Sequence, residues 1–195
     1  MGPEAPRVDR LLVGVCGCAA ILSLPSYLAT LRAELAAEIR VIMTASATSM
    51  LPPSTVALLC DSVFVDEEPA PEKKPGHVQL ASWCDAFVVL PASANVLGLA
   101  ANGIAPNLLC TTILASPGPV IFCPNVNDTM WRKAAVQRNV ETLRADGHVV
   151  IDPDLAMAYE VDTGDTRESR VVPEPERLVG LLREVLPESP AEDEM

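Results

Sequence analysis

Two loops between residues 90 and 131 carry side chains suited to holding a small polar ligand. The first has the sequence PASAN at residues 91–95, and the second has the sequence PNVNDTMW at residues 124–131. Each follows an apolar segment typical of a buried strand. In open α/β sheets, ligands bind at loops that follow the carboxyl ends of parallel strands. Amide and small side chains at such loops predict a polar, uncharged site for a planar or carboxylate-bearing ligand.

One histidine, His77, precedes the first loop by a short predicted helix and is a candidate acid–base group. Imidazole is the usual group for this role where no metal takes part, because it titrates near neutral pH. His77 follows a segment rich in proline and charge, so a surface position fits the sequence as well as a catalytic one. The other histidine, His148, opens a predicted buried strand, which favours a structural role for it.

The segment GVCGC at residues 14–18 resembles a phosphate-binding turn, because glycine lets the backbone approach an anion at a helix N-terminus. It lacks the full G-x-G-x-x-G pattern, and no acidic residue ends the second predicted strand, so a nicotinamide site is not favoured. Thr44 and Ser46 add hydroxyl groups after that strand. These two loops could hold one phosphate without Lys or Arg, although a tight strand-to-helix turn explains the glycines equally well.

Six asparagines lie between residues 95 and 139, which is a high density of amides for a short span. Asparagine often caps helices and accepts left-handed turns, and these roles explain about half of them. The pair Asn125 and Asn127, between a strand and a helix, points to a ligand more than capping requires.

The composition limits the classes of function. The chain has 195 residues and a net charge of −12, which argues against nucleic-acid binding because phosphate backbones require a Lys/Arg surface. No apolar run reaches the ~20 residues that a membrane span needs, and no metal site is predicted. The polar N-terminus shows no secretory signal, so the six cysteines are expected to be reduced thiols in the cytoplasm.

Strand-like and helix-like segments alternate along most of the chain. Strands are predicted at residues 10–15, 38–43, 62–65, 86–90, 120–123 and 148–151, with helices at 23–35, 53–60, 78–84, 94–101, 108–115, 129–146 and 176–185. This order predicts an α/β fold with a doubly wound parallel sheet. We expect one domain over residues 1–186, a polar loop or hairpin at 156–170, and a disordered acidic tail at 187–195.

The two loops resemble the signatures of the homo-oligomeric flavin-containing cysteine decarboxylases. This family includes the phosphopantothenoylcysteine decarboxylases and the LanD peptidyl-cysteine decarboxylases of lanthipeptide biosynthesis. The position of His77, and Asn102 within the sequence ANG after the first loop, extend the match. The resemblance covers about residues 10–165 and is greatest to the mersacidin-type LanD enzymes.

The resemblance implies a flavodoxin-like, three-layer α/β/α fold and a homotrimer, often assembled into a dodecamer, with FAD or FMN at the subunit interface. The mersacidin-type similarity favours FAD. The implied reaction is oxidative decarboxylation of the C-terminal cysteine of a precursor peptide. Its product is an aminoenethiol that becomes part of an aminovinyl-cysteine ring. Residues 156–170 would correspond to the family's clamp over the bound peptide.

Site residues follow from the same resemblance, position by position. His77 would be the active-site base, and Asn127 would hold the substrate carboxylate. The flavin would contact Gly14, Gly17, Cys18, Thr44, Ser46, Pro91, Ala92, Ser93, Ala94, Asn95 and Thr111. The peptide would contact Asn125, Asn127, Met130, Tyr159 and Glu160.

The chain departs from the family pattern at three positions. Val126 stands where methionine is usual, Val96 where threonine is usual, and Cys18 where serine is common. Two alternative functions follow from the same family: a coenzyme A pathway decarboxylase and a non-catalytic flavin-binding regulatory subunit. The first more commonly carries a cysteine in its lid, and residues 156–170 contain none. A prenyl-transferring flavin enzyme is a further alternative, although such relatives typically lack the pairing of His77 with Asn127.

Overall fold

The computed structural model describes residues 7–66, 75–159 and 164–186, and within them it has eight strands and nine α-helices. The strands are β1 (Val8–Val15), β2 (Ala36–Met43), β3 (Ser62–Val65), β4 (Ala86–Ala92), β5 (Val120–Pro124), β6 (Val149–Val150), β7 (Asp154–Tyr159) and β8 (Thr166–Val171). The helices are α1 (Leu24–Glu34), α2 (Ala45–Met50), α3 (Pro53–Val56), α4 (His77–Trp83), α5 (Ala94–Ala101), α6 (Leu108–Leu114), α7 (Asp128–Trp131), α8 (Ala134–Ala145) and α9 (Pro175–Val185). A 3₁₀ turn at Ala19–Ser23 precedes α1.

Six strands form a parallel sheet in the order β3-β2-β1-β4-β5-β6. From the centre of the sheet, strands β1 to β3 follow one another toward one edge, and strands β4 to β6 follow one another toward the opposite edge. The order therefore reverses between β1 and β4, and such a switch point opens a crevice at the carboxyl ends of the strands. The predicted doubly wound parallel sheet is confirmed.

Alternating side chains of the sheet build two apolar layers. Leu11 and Val13 of β1 face one cluster, which is completed by α1 and α9, while Leu12 faces the other, which is completed by α5, α6 and α8. All seven residues of β4 are buried, as expected for a central strand that is covered on both faces. The three-layer α/β/α, flavodoxin-like architecture is thus confirmed.

Two predicted helices are wrong in extent. The helix expected at residues 129–146 is two helices, α7 and α8, because Lys133 adopts an extended conformation between them. The side-chain amide of Gln137 donates a hydrogen bond of 2.6 Å to the carbonyl oxygen of Trp131 and replaces a helical backbone donor there. The helix expected at 53–60 ends at Val56, and the following residues form turns.

An antiparallel hairpin, β7–β8, follows the parallel sheet, so the hairpin expected within residues 156–170 is present. Its second strand leads into α9, which packs against α1. Residues 160–163 of the predicted clamp and the acidic tail at 187–195 lie outside the described residues. No helix in the described part of the chain is long and apolar enough to cross a membrane.

His148 has the structural role expected of it. Its Nδ1 accepts a hydrogen bond of 3.1 Å from the backbone N–H of Val120 at the start of β5, and its ring meets Phe122 edge-on. Burial lowers the pKa of this imidazole, and the nearby Asp146 opposes the effect only in part. The folded protein therefore favours the neutral ring, which is the form that can accept from Val120.

We expect acidification to destabilise the fold through His148. Because the folded-state pKa is depressed, the unfolded chain takes up a proton first as the pH falls below about 6.5, and stability declines from there. His148→Asn supplies an oxygen that can accept from Val120 but does not titrate. The loss of urea midpoint between pH 7.5 and pH 5.5 should be smaller in this variant than in the unmodified protein. Equal losses would contradict the assignment.

Candidate functional site

Two adjoining cavities open at the carboxyl edge of the sheet, where the strand order reverses. The larger, of about 590 Å³, lies between the loops after β1, β4 and β5 and the β7–β8 hairpin. We call it the amide cavity, after Asn95, Asn125 and Asn127 in its wall. The smaller, of about 420 Å³, lies against the loops after β2 and β4, and we call it the hydroxyl cavity, after Thr44, Ser46 and Ser93. Ser93 and Asn95 line both cavities, so the two adjoin.

The amide cavity is lined by both polar and apolar residues. Besides the three asparagines, it is lined by Gly17, Cys18 and Ala94, by Met50 and Met130, and by Tyr159 of the hairpin. Flat apolar walls with a few convergent hydrogen-bonding groups are typical of small-molecule sites. Cys18, Asn125, Asn127, Met130 and Tyr159 were predicted from separate parts of the sequence, and the structure brings them together here.

The two asparagines of the second loop are used differently. Asn125 makes two structural bonds: its Oδ1 accepts from the backbone N–H of Ala20 at 3.1 Å, and its Nδ2 donates to the carbonyl oxygen of Arg170 at 3.2 Å. Asn127 caps α7, with its Oδ1 accepting from the N–H of Thr129 at 2.9 Å. The side chain of Asn127 is exposed to the cavity, whereas that of Asn125 is partly buried between the loops.

Hydroxyl groups in the smaller cavity cap the helices that begin there. The Thr44 hydroxyl accepts from the N–H of Ala47 in α2, and the Ser93 hydroxyl accepts from the N–H of Val96 in α5, each at 3.3 Å. Ser46 lies 3.1 Å from the Thr44 hydroxyl. Asp66 also lines this cavity, and its carboxylate accepts from the N–H of Leu108. The cavity is therefore rich in hydroxyls and contains no Lys or Arg among its lining residues.

Gly17 allows the loop after β1 to contact the first turn of α2. A Cβ atom at this position would lie 2.7 Å from the backbone carbonyl carbon and oxygen of Ser46. Since those atoms belong to the first turn of α2, they cannot move aside as the end of a side chain can. The sequence predicted Gly17 as a point where the backbone could approach an anion. In the structure, the segment that approaches it closely is the first turn of α2.

Four residues predicted to contact a cofactor line neither cavity. Gly14 lies within β1, where a side chain would collide with Leu109, so its small size serves packing. Pro91 and Ala92 are buried at the end of β4, and the Pro91 carbonyl accepts from the N–H of Cys16 at 3.2 Å. The Thr111 hydroxyl donates to carbonyls within its own helix. Glu160 lies outside the described residues.

His77 stands apart from both cavities within one chain. It is the first residue of α4 and is exposed, and it lines neither cavity. Because α4 leads into β4, its first residue must lie toward the carboxyl edge of the sheet, on the side where the cavities open. His77 is therefore not among the described residues that line the cavity with Asn127 in one chain.

The cysteine thiols of the site are held in the neutral form. Burial raises the pKa of Cys16 and of Cys18 to about 12 in each case. A thiol with so high a pKa is a poor nucleophile at neutral pH. In the described parts of the chain, no group of three or more His, Cys, Asp or Glu side chains is placed to hold a metal ion.

Arg170 lines the amide cavity and pairs with Asp128 beside it, and the sequence reasoning assigned a role to neither residue. Arg170 lines the amide cavity, and its Nε donates to Asp128 at 3.0 Å. The two residues are 42 positions apart, and Arg170 sits in a polar segment without a motif. The only feature of the sequence that could have indicated this ion pair was the position of Asp128 directly after Asn127.

Comparison with known proteins relates the chain to a flavoprotein family and to decarboxylases. The family model described as Flavoprotein matches residues 3–179. Mersacidin decarboxylase of Bacillus sp. (strain HIL-Y85/54728) is 43% identical over 170 residues, which are 87% of each chain. The coenzyme A biosynthesis bifunctional protein CoaBC of Vibrio vulnificus is 32% identical over 94% of this chain but only 45% of its own length.

Solved structures agree with the sequence matches. MrsD from Bacillus sp. HIL-Y85/54728 superposes with a TM-score of 0.78 at 39% identity, covering 90% of this chain and 95% of its own. The peptidyl-cysteine decarboxylase EpiD has a TM-score of 0.78 at 25% identity, with 90% and 98% covered. The FMN-dependent cysteine decarboxylase SpaF has a TM-score of 0.71 at 35% identity, with 90% and 96% covered.

Substitution of Gly17 tests the contact between the loop after β1 and the first turn of α2. Gly17→Ala forces the first turn of α2 away from the loop after β1, and we expect a loss of about 1–3 kcal/mol in the free energy of unfolding. The matched control is Gly180→Ala, on the exposed side of α9, where nothing lies within 4 Å of the added Cβ. That variant should be more stable by roughly 0.5–1 kcal/mol, because alanine favours the helix. Urea denaturation measures both, and a neutral Gly17→Ala would contradict the close approach.

Proposed function

The chain belongs to the Flavoprotein family, and on that basis we propose that it is an enzyme that uses a flavin to decarboxylate the C-terminal cysteine of a peptide oxidatively. The product is an aminoenethiol, from which an aminovinyl-cysteine ring forms in a lanthipeptide. The observation that supports this proposal is the amide cavity: both motifs contribute residues to its lining, and one of these residues, Asn127, has an uncharged amide that could hold a carboxylate until it is lost.

The residues present fit a flavin. The hydroxyl cavity supplies hydroxyls and helix N-termini for a phosphate, which needs no basic side chain when backbone N–H groups face it. The amide cavity, which adjoins it through Ser93 and Asn95, supplies small and apolar walls for a ring. The residues that would hold the flavin are Gly17, Cys18, Thr44, Ser46, Ser93, Ala94 and Asn95. A bound flavin would supply the two-electron oxidation that this reaction requires. The flavin would be FAD or FMN, and the similar decarboxylase SpaF is FMN-dependent.

The second loop orients the peptide. The Asn127 amide can donate to a carboxylate while its backbone position is fixed by the first turn of α7. An amide holds the carboxylate without the charge pairing that would stabilise it against loss of carbon dioxide. Met50 and Met130 also line the cavity, and packing of the peptide against their apolar side chains would exclude water from the reacting end. Positioning and water exclusion of this kind contribute typically two or more orders of magnitude in rate.

His77 would remove the thiol proton of the peptide's terminal cysteine. Since it lies outside the amide cavity of its own chain, we infer that it acts at the cavity of a neighbouring copy. The enzyme would then be a homo-oligomer, a trimer or a dodecamer built from trimers, with each site at a subunit boundary. The resident thiols are kept neutral by burial and would not compete for this base.

The β7–β8 hairpin would cover the bound peptide. Tyr159 and Arg170 of the hairpin line the amide cavity, so the described part of residues 156–170 already forms one wall of the proposed peptide site. This placement agrees with a substrate clamp. The thiols also agree with a reducing compartment, and we propose a cytoplasmic location.

The similarity to CoaBC supports a second candidate, decarboxylation of phosphopantothenoylcysteine. The chain carries no cysteine in residues 156–170, the region where the coenzyme A pathway enzymes commonly have one. The peptide reaction is therefore preferred. A non-catalytic flavin-binding subunit would need no carboxylate-holding amide in its cavity.

Incubation with peptides tests the proposed function directly. Pentapeptides ending in cysteine should lose the mass of one carbon dioxide and two hydrogens, as followed by mass spectrometry of the yellow, flavin-loaded protein. The same peptides ending in serine should be unchanged, because they have no thiol to oxidise. Turnover of phosphopantothenoylcysteine without any turnover of peptides would favour the second candidate. A flavin-loaded protein inert to both substrates would favour the binding subunit.

Single substitutions test the two proposed roles. Asn127→Asp keeps the helix cap, since aspartate caps as well as asparagine, but places a negative charge where the carboxylate must bind. His77→Asn removes the base at an exposed position. We expect turnover to fall at least 100-fold in each variant, with far-UV circular dichroism and the thermal midpoint little changed. Full activity in either variant would refute the role given to that residue. Gln79→Ala, on the exposed first turn of the same helix as His77, controls for local disturbance of α4.

A further inference from the structure

A single residue with a charged side chain lines the described part of the amide cavity. Among the lining residues that the structure describes, Arg170 alone carries a formal charge, and the others are amides, hydroxyls, a thiol, small residues and apolar side chains. A guanidinium beside a site for a peptide carboxylate is the natural partner of that carboxylate. The proposed chemistry makes such a partner unfavourable.

The chemical conflict lies in what the cation would stabilise. An arginine–carboxylate pair stabilises the bound peptide before reaction, and that stabilisation is lost when the carboxylate leaves as carbon dioxide. Interactions stronger in the ground state than in the transition state slow a reaction. An enzyme of the proposed function therefore needs the Arg170 charge to be held elsewhere.

The contacts of Arg170 show where it is held. Its Nε lies 3.0 Å from one carboxylate oxygen of Asp128, and the Arg132 Nε lies 2.7 Å from the other. The side chains of Arg170 and Asp128 are 26% and 22% exposed, so this pair is better shielded than the arm from Arg132, which is 67% exposed. Asp128 is not among the residues that line the cavity, so the ion pair draws the guanidinium toward the base of α7.

The backbone of Arg170 fixes the same arrangement. Its carbonyl oxygen accepts from the N–H of Val126 at 3.3 Å and from the side-chain amide of Asn125 at 3.2 Å. Strand β8 is therefore attached to the second loop through the Arg170 carbonyl oxygen. The backbone of Arg170 is therefore fixed in position, and the ion pair with Asp128 sets the direction of the guanidinium.

We propose that Asp128 is a positioning residue that holds the Arg170 guanidinium away from the substrate carboxylate, so that a bound peptide meets the neutral amide of Asn127. This inference rests on the proposed function, because it assumes a peptide whose carboxylate lies in the amide cavity. It assigns to Asp128 and Arg170 a specificity role that neither the motif nor the fold requires. Release of Arg170 should convert the cavity into a stronger binder of free carboxylates.

Binding of inert peptides tests the proposal without requiring turnover. The probes are the best pentapeptide from the activity assay with its terminal cysteine replaced by serine, made once as the free acid and once as the C-terminal amide. Dissociation constants for the flavin-loaded protein are measured by isothermal titration calorimetry. The deciding quantity is the ratio of amide to acid dissociation constants, because a general disturbance of the site changes both alike.

Asp128→Asn should raise this preference for the acid by roughly threefold to tenfold, the size expected for a partly exposed charge-assisted pair. The double variant Asp128→Asn with Arg170→Gln should return the preference to that of the unmodified protein or lower. Arg132→Gln is the matched control. It removes the exposed ion pair between Arg132 and Asp128 but keeps the pair between Arg170 and Asp128, and it should leave the preference for the acid unchanged.

Three results would overturn the proposal. An unchanged ratio of amide to acid dissociation constants in Asp128→Asn would make the ion pair purely structural. A raised preference for the acid that persists in the double variant would assign that preference to a group other than Arg170. If the unmodified protein neither binds nor converts any cysteine-ending peptide, the proposed function itself fails, and this inference falls with it.

Discussion

Three backbone hydrogen bonds continue the parallel sheet beyond its strands, and the site depends on them. The N–H of Thr44 donates to Val15 at 3.0 Å, that of Cys16 to Pro91 at 3.2 Å, and that of Asn125 to Ala92 at 3.0 Å. Each bond joins the end of one strand to the start of the neighbouring loop. The bond from Cys16 crosses the point where the strand order reverses, and the other two lie on either side of it, so the loops after β1, β2, β4 and β5 are held together at one edge. The two cavities are the space that these four loops leave between them.

The electrostatics of this edge favour a neutral interior. Its cysteines are protonated because burial disfavours the thiolate, and its single lining guanidinium is matched by Asp128. The groups left to meet a ligand are amides, hydroxyls and backbone N–H donors. Such a surface orients charged substrates without binding them strongly, which suits a reaction whose substrate carries a negative charge that its product lacks.

Much of this arrangement was predictable from the sequence because it follows from local patterns. Apolar runs followed by PASAN and PNVNDTMW placed the two loops after strands, and parallel strands bring such loops together. Contacts between distant segments were not predictable. The attachment of Asn125 to Ala20 and Arg170, the collision that keeps Gly14 free of a side chain, and the break between α7 and α8 all depend on residues that no spacing connects. The density of asparagines was informative, yet it mixed one structural bridge, Asn125, with one candidate ligand group, Asn127.

The attachment of β8 at Arg170 divides the hairpin into two parts with different freedom to vary in evolution. The end near Asp154 and Arg170 is joined to the second loop, so changes there would propagate into the edge of the sheet where the two cavities open. The outer half, with the exposed Met157 and Tyr159, has no such attachment to that loop among the described contacts. Substitutions in the outer half can therefore alter which ligands the hairpin contacts while the inner half keeps the cavity unchanged.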